Sequence, residues 1–310
     1  MKKAETILVA GGAGFIGSHL TDALLKKGFK VVVVDNLSTG KEENVNPKAE
    51  FYKMDMNDFQ FEGVFQEHKP QFVYMLGCNT SVPKSIADPV FDSQSITSSL
   101  KTLEFARRYG VKKVVFSSSS FVYGNTKRLP TPETEPIIPV NAYIISKSTV
   151  ENYIKFYNKI YGLDYVIFRY ATTYGPRQAA GAMADYIRSI HKGSKANIYG
   201  DGKKTRDYMY VGDIVKANLM ALNYKPQKGL EPVFNLSTGK ETTLYNLYKK
   251  IARLLGRPEA EPNFMPDRPG ELMRSKLNSN KAKEYFKWQP TIGLAQGLKK
   301  TIDYFLKQQS

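Results

Sequence analysis

A single cysteine, Cys78, stands among 310 residues, which excludes an internal disulfide and points to a reducing, cytoplasmic setting. Histidine is almost as scarce. His19, His68 and His191 stand at no ligand-like spacing, so no metal site is expected. No apolar run approaches the roughly eighteen residues that a membrane span needs. The opening Met1-Lys2-Lys3-Ala4-Glu5-Thr6 leads straight into a strand-like run with no cleavable hydrophobic segment, so neither secretion nor membrane association is expected. Acids are short, with 29 Asp and Glu against 45 Lys and Arg and a formal net charge of +16. Basic pairs such as Lys26-Lys27, Lys112-Lys113 and Lys299-Lys300 are scattered and not interleaved with aromatics. Scatter reads as solvated faces and a field that attracts anionic small molecules, not as a nucleic-acid surface. Internal repeats and low-complexity segments are also missing. The length suits two domains or one large α/β unit.

What the chain does have is concentrated in residues 6–35. The apolar run Ile7 to Ala10 enters Gly11-Gly12-Ala13-Gly14-Phe15-Ile16-Gly17; Ile16, Leu20, Ala23 and Leu24 then follow at helical spacing, and Gly28 is placed as a C′ stop. Val31 to Val34 form a second buried strand that ends at Asp35. In such a unit Gly12 would permit the tight turn, Gly14 the approach of a pyrophosphate, and Gly17 close helix–strand packing. The helix N-terminus offers N–H groups and positive dipole to phosphates. Asp35, eighteen residues beyond Gly17, is suited to accept from both hydroxyls of an adenosine ribose and would repel a 2′-phosphate, which favours NAD over NADP.

Further on, Asn36 to Lys41, including Ser38, Thr39 and Gly40, is a polar loop able to reach the adenosine phosphate. Phe51–Met54 is a third strand whose end places Asp55 and Met56 near an adenine. Residues 58–68 read as a short helix. Strand Phe72–Leu76 leads to the turn Gly77-Cys78-Asn79-Thr80, expected to lie over the cofactor. A helix from about Val90 to Tyr109, strand Lys113–Phe116, a helix N-capped by Asn141 and running to about Tyr161, and strand Tyr165–Arg169 complete the alternation. The pattern predicts an α/β, doubly wound parallel sheet with its crevice at the strand C-terminal ends. Beyond Tyr170 the strands shorten, and helices are expected near 181–192, 212–223, 243–255 and 292–307 in a smaller lid domain.

Tyr143 and Lys147 lie one turn apart on the predicted helix, about 6 Å apart at Cβ. A nearby ammonium and a bound nicotinamide cation both favour phenolate, which would make Tyr143 a usable base at neutral pH. Ser119, at the end of the preceding strand, is placed to bond the same substrate hydroxyl.

With these motifs the chain resembles the extended short-chain dehydrogenase/reductase superfamily and, within it, the nucleotide-sugar epimerases and dehydratases. The resemblance rests on Gly11–Gly17, Ser117-Ser-Ser-Ser-Phe-Val-Tyr-Gly124, Tyr143-Ile-Ile-Ser-Lys147, Arg169-Tyr-Ala-Thr-Thr-Tyr-Gly-Pro-Arg-Gln178, Gly200-Asp-Gly-Lys-Lys-Thr-Arg-Asp207 and Arg268-Pro-Gly-Glu271. It implies an NAD-binding Rossmann domain at 1–172, to which 207–240 returns, and a nucleotide-sugar domain at 173–310. It adds Leu76, Ser95, Ser117 and Tyr170 to the cofactor contacts, with Tyr170 near the nicotinamide. On the substrate side it implies Arg206 and Arg268 as a diphosphate clamp beside Glu271, Tyr199 near the uracil, and Ser120, Phe121 and Thr172 near the sugar and phosphates. Ser275 matches a gatekeeper position where a small side chain leaves room at the sugar's C2 substituent.

Family dehydratases and decarboxylases carry an acid two residues after the catalytic Ser or Thr, where this chain has Phe121; fucose-synthase-like enzymes carry a cysteine in that loop, and none is present. The resemblance therefore implies a UDP-hexose 4-epimerase that retains NAD through a 4-keto intermediate, acts on plain and N-acetylated sugars, and forms a homodimer through the helices at 90–109 and 141–161. Tyr153, Phe156, Tyr157 and Ile160 supply an apolar surface on the second helix. Thr172 and Ser95 depart from the family's usual Asn, and Phe121 from a small hydroxyl residue. Two other readings stay open at this stage, namely another nucleotide-sugar enzyme (a UDP-glucuronate 4-epimerase, dehydratase or reductase) and a non-enzymatic dinucleotide-binding protein.

Overall fold

The computed structural model describes residues 4–79 and 81–308. Strand and helix alternate from the start: β1 (Thr6–Ala10), α1 (Phe15–Lys26), β2 (Lys30–Asp35), β3 (Glu50–Lys53), α2 (Phe61–His68) and β4 (Phe72–Met75). A short α3 (Val82–Ala87) and the long α4 (Pro89–Arg108) lead to β5 (Lys113–Ser119), α5 (Ala142–Tyr161) and β6 (Asp164–Tyr170). The second part contains β7 (Thr172–Tyr174), α6 (Ala182–His191), β8 (Asn197–Tyr199), β9 (Thr205–Tyr210), α7 (Val211–Ala221) and β10 (Val233–Leu236). It ends with β11 (Glu241–Thr243), α8 (Leu244–Leu254), β12 (Asn263–Met265), α9 (Asn280–Phe286) and α10 (Leu294–Lys307).

Seven strands form one parallel sheet in the order β10-β6-β5-β4-β1-β2-β3. The order reverses beside β1, so the loops after β1 and β4 part there and leave a crevice at the strand C-terminal ends. The strands read as nearly continuous apolar runs because both faces are covered. Ile7, Val9, Val31, Val33 and Phe168 point into a core with Leu20 and Leu24 of α1 and Ile214 of α7. Leu8, Val32, Val34, Val114 and Ile167 point the other way, against Phe61 and Phe65 of α2, Leu103 of α4 and Ile154 of α5. A third core joins α6, α8 and α10 through Ile187, Tyr248, Ile251, Leu298 and Ile302.

The chain leaves the large sheet between Tyr170 and Thr172 to join a three-stranded sheet ordered β11-β9-β7, and it returns through α7 and β10, the latter pairing with β6. A two-stranded sheet of β12 and β8 sets Tyr199 opposite Met265. Three departures from the sequence reading have local causes. Strand β5 runs on through the serines to Ser119, because Ser117 to Ser119 pair with Phe168 to Tyr170 of β6. Helices α3 and α9, of six and seven residues, are too short to show a 3.6-residue periodicity. On α5, Tyr157 belongs to the packing against α4, where its hydroxyl donates to Glu104 at 3.2 Å, whereas Tyr153, Phe156 and Ile160 are exposed.

The catalytic helix is fixed at both ends. Asn141 caps α5 by accepting from the Ile144 N–H at 3.0 Å, and Gly162 ends it at φ 73°. The Asn141 amide also donates to the Gly270 carbonyl at 3.1 Å, tying α5 to the substrate-side loop. Replacing Asn141 with Ala should lower stability by about 1–2 kcal/mol, seen as a reduced urea midpoint with an unchanged slope.

Candidate active site

The turn after β1 is built from glycines with different jobs. Gly11 adopts φ +84°, and a Cβ there would lie 2.5 Å from the Gly77 nitrogen. The tight-turn role expected of Gly12 therefore falls to Gly11, while Gly12 is kept bare by Val33, whose Cγ1 would be 2.7 Å from an added Cβ. At Gly17 a Cβ would come 2.1 Å from the Gly11 carbonyl oxygen, so α1 can approach β1 this closely only without a side chain. Gly14 differs. It begins α1 without a side-chain cap, and an added Cβ would meet only the Gly11 oxygen, at 3.3 Å. The open flank and the uncapped first-turn N–H groups around Phe15, Ile16 and Gly17 suit a phosphate.

Asp35 sits at the end of β2 with little exposed surface. Its Oδ2 accepts from the Ala13 N–H at 3.0 Å and its Oδ1 from the Leu37 N–H at 2.9 Å. Burial pushes this carboxyl up, and the backbone donors of Leu37, Ala13 and Gly14 pull it down. A carboxylate has about four acceptor positions, so both oxygens keep capacity for a ribose diol. Gly40 packs against Asp35 and Ala13, whereas Ser38 and Thr39 lie exposed beyond it. The Asn36 amide donates to Asp55 Oδ2 at 2.6 Å, joining the loops after β2 and β3, and Met56 lies against Gly77. Leu76, Gly77 and Cys78 follow β4 at the sheet's C-terminal edge; Thr80 lies outside the described residues. The open glycine flank, the uncapped helix and the acid at the end of β2 fit NAD.

The reacting groups converge where α5 crosses the end of β5. Lys147 Nζ donates to the Ser117 carbonyl at 2.5 Å and approaches Cys78 Sγ at 2.8 Å. It stands 5.9 Å from the centre of the Tyr143 ring. The Ser119 hydroxyl, at the end of β5, accepts from the Phe121 N–H at 3.2 Å and is close enough to the Tyr143 phenol to favour its ionised form. Burial pushes the phenol up, Lys147 and Ser119 pull it down, and Cys78 and Asp92 push it up. Burial outweighs the pull of Lys147, which acts in the expected direction, so the protein's own groups leave this phenol above its ordinary value. Burial also works against the Lys147 ammonium, but Cys78, Tyr143 and Glu151 outweigh it and hold that group above its ordinary value.

A cavity beside the pair is lined by Cys78, Asn79, Asp92, Ser95, Tyr143 and Lys147, among others. Ser95 Oγ accepts from the Asn79 N–H at 3.2 Å, and Asp92 accepts from the Asn79 amide at 2.7 Å and from the Ser146 hydroxyl at 2.6 Å. Tyr170 reaches the site differently from the expectation. Its ring is buried and its hydroxyl exchanges hydrogen bonds with the Asn218 amide, so the side chain is a strut between β6 and α7.

On the substrate side, Ser120 and Ser275 are both buried and their hydroxyls meet at 3.3 Å. Thr172 Oγ1 is buried with no hydrogen-bond partner among the described residues. Arg206 is not a free clamp. Its Nη1 donates to the Thr205 and Leu272 carbonyls, both at 2.8 Å, its guanidinium lies 5.4 Å from the Phe121 ring centre, and burial holds its pKa below the usual value. Arg268 is the more accessible cation, stacked 3.3 Å from the centre of the Tyr199 ring and 3.8 Å from Glu271.

The model of the NAD dependent epimerase/dehydratase family matches residues 7–237. The chain belongs to this family. A UDP-glucose 4-epimerase from Mycolicibacterium smegmatis is 40% identical over 309 residues, covering 96% of this chain and 97% of that protein. The crystal structure of the Thermotoga maritima UDP-glucose 4-epimerase with UDP-glucose is 42% identical and superposes with a TM-score of 0.94, over 98% of this chain and 100% of that one. A UDP-N-acetylglucosamine 4-epimerase from Methanobrevibacter ruminantium, in complex with UDP-N-acetylmuramic acid, is 34% identical with a TM-score of 0.91 and 99% coverage of both chains. As in the family, the chain uses NAD.

Several residues around this NAD site escaped the sequence reading. Asp92 and Ser146 brace the Asn79 turn, and Glu151 holds Ser118 at 2.5 Å and Arg169 at 2.6 Å. Glu151 carried a signal, since it continues the i, i+4 face of Tyr143 and Lys147. Asp92 carried none, because its partners lie on the turn after β4 and across the α4–α5 contact. The pKa balance makes a spectroscopic prediction. In cofactor-free protein, the difference in tyrosinate absorbance between wild type and Tyr143→Phe should titrate above the ordinary tyrosine value near 10, and loading NAD should bring it down.

Proposed function

We propose that this chain is a UDP-hexose 4-epimerase that interconverts UDP-glucose and UDP-galactose and accepts their N-acetylated counterparts. The observation that carries the reading is Tyr143 one helical turn from a buried Lys147 that is tied to the Ser117 carbonyl at the end of the strand carrying Ser119, at the mouth of a crevice built for NAD. The nearby residues Ser120 and Phe121 offer no acid for proton chemistry at a neighbouring carbon. NAD, when bound, supplies the carbon that accepts and returns hydride. Tyr143 takes the proton of the C4 hydroxyl and gives it back to the epimerised oxygen, Ser119 aligns that hydroxyl, and Lys147 keeps positive charge beside the phenol. Burial excludes water and keeps the phenol neutral until further positive charge arrives, which protects a ketone intermediate from side reactions.

Specificity follows from the substrate side. Tyr199 and Arg268 suit a pyrimidine base and a diphosphate, the arginine through its planar fork. The small side chains of Ser120 and Ser275 leave room for a C2 acetamido group. The relatives support both substrate classes, one named for UDP-glucose and another for UDP-N-acetylglucosamine. A homodimer through α4 and α5 belongs to the same proposal, supported by the exposed Ile145, Tyr153, Phe156 and Ile160 on α5. So does a cytoplasmic setting, on the ground of one cysteine.

NMR of UDP-glucose and UDP-N-acetylglucosamine incubated with purified, NAD-loaded protein should show the C4 epimers and no other product. Tyr143→Phe should cut turnover by about a hundredfold or more while NAD remains bound; near-normal turnover would remove Tyr143 from its role, and a dehydrated or reduced product would remove the epimerase reading. Ser275→Tyr should lower turnover of the N-acetylated sugar more than that of UDP-glucose, and equal loss for both would refute the gatekeeper role.

A further inference from the structure

Lys204, between β8 and β9, is an unusual lysine for a surface-domain loop. Its side chain is only 2% exposed, and its ammonium pairs with Asp267 and, at 2.9 Å, with Glu271 Oε2. Those two carboxylates bracket Arg268 in sequence, and Asp267 Oδ1 also accepts from the Arg268 N–H at 2.7 Å. Glu271 Oε1 lies 3.8 Å from Arg268 Nη1. The cluster thus holds one further cation, Lys204, and two carboxylates beside the accessible Arg268 guanidinium that faces Tyr199. Remove the ammonium, and Asp267 and Glu271 lose their shared ion-pair partner beside the place where a diphosphate would sit, leaving Arg268 and the carbonyl-held Arg206 as the cations nearest Glu271. Glu271 and Asp267 would then compete for Arg268 as well as repel the ligand.

Neighbouring contacts fix the same loop independently of Lys204. Gly200 N–H donates to the Met265 carbonyl at 2.9 Å, Thr205 N–H to the Met273 carbonyl at 3.0 Å, and Arg206 to the Leu272 carbonyl at 2.8 Å. The loop would therefore keep its course without Lys204, whereas the direction and partner of the Arg268 side chain would change.

We infer that Lys204 is a positioning residue for substrate binding, which neutralises Asp267 and Glu271 so that Arg268 stays available to a nucleoside diphosphate. This rests on the reading of Arg268 as a diphosphate ligand and adds to it a residue 64 positions away that touches no substrate. The effect belongs to the diphosphate and not to the base, and that separates it from a general loss of structure.

The test compares UDP with uridine by calorimetry on NAD-loaded protein. Lys204→Met should weaken UDP by about tenfold or more while uridine changes by less than about twofold, and KM for UDP-glucose should rise with kcat nearly unchanged. Adding Asp267→Asn to Lys204→Met should recover much of the UDP affinity, because it removes a carboxylate left unpaired. Equal weakening of UDP and uridine, unchanged UDP affinity, or no recovery in the double variant would each overturn the inference. Lys204→Gln, which keeps a polar head without charge, replaces Lys204→Met if the latter does not fold, and failure of both to fold would make Lys204 a core strut and end the proposal. If wild-type protein binds UDP no better than uridine, the diphosphate role of Arg268 itself falls. If wild type prefers UDP, Arg268→Ala abolishes that preference and Lys204→Met does not, only the present inference falls.

Discussion

The bond from the Lys147 ammonium to the Ser117 carbonyl, at 2.5 Å, is the contact on which the site depends. It ties the catalytic helix to the C-terminal end of β5 and so fixes Tyr143 relative to Ser119. The carbonyl is available because Ser117 lies where the strand reaches the sheet's edge. An ammonium in so enclosed a place needs partners, since a buried unpaired cation is strongly disfavoured. The Ser117 oxygen, the Cys78 sulfur and the Tyr143 ring around it supply them.

Below that contact lies a fully buried support. Glu151, one turn beyond Lys147, accepts from Ser118 and from two nitrogens of Arg169; Arg169 donates to the Tyr123 hydroxyl, which donates to Asn235. The network ties β5 and α5, which carry the reacting groups, to β6 and β10. Such a pair adds little net stability over an apolar replacement, yet losing one partner would cost about 3–5 kcal/mol. Its value is geometric. A bidentate Arg–carboxylate pair tolerates little rotation, so it fixes the register of α5 against the serines better than aliphatic packing would.

The sequence made some of this legible and hid the rest for physical reasons. The glycine turn, β1, α1, β2 and Asp35 could be read because their constraints are local: a strand period, a helix period and an acid at a fixed distance. Tyr143 and Lys147 were legible for the same reason, one helical turn apart. The exchange of roles between Gly11 and Gly12 was not, because it depends on Gly77 in the turn after β4 and on Val33 of β2. Arg206 looked like a free clamp until the carbonyl of Leu272, 66 residues away, was seen to hold it. Lys204 and Asp267 are 63 residues apart, and nothing in the pattern of either segment joins them.

Several buried side chains lack a hydrogen-bond partner among the described residues, Tyr224 and Tyr248 in the packed cores included, and two conflicts with ordinary folding preference bear on the crevice. The Tyr143 phenol is driven up by burial while its Lys147 neighbour pulls the other way, so the protein alone leaves it protonated. Thr172 holds a buried hydroxyl with no partner among the described residues, in a strand whose neighbours are otherwise paired. An unsatisfied buried hydroxyl costs about 1–3 kcal/mol. Folding gains nothing from either arrangement, but a ligand bringing positive charge to the phenol and acceptors to Thr172 would relieve both. Sites where local rules fail together are where function is expected to override stability. On the proposed reading Tyr143 belongs to the cofactor end of the crevice and Thr172 to the substrate end, so one bound pair of molecules would answer both.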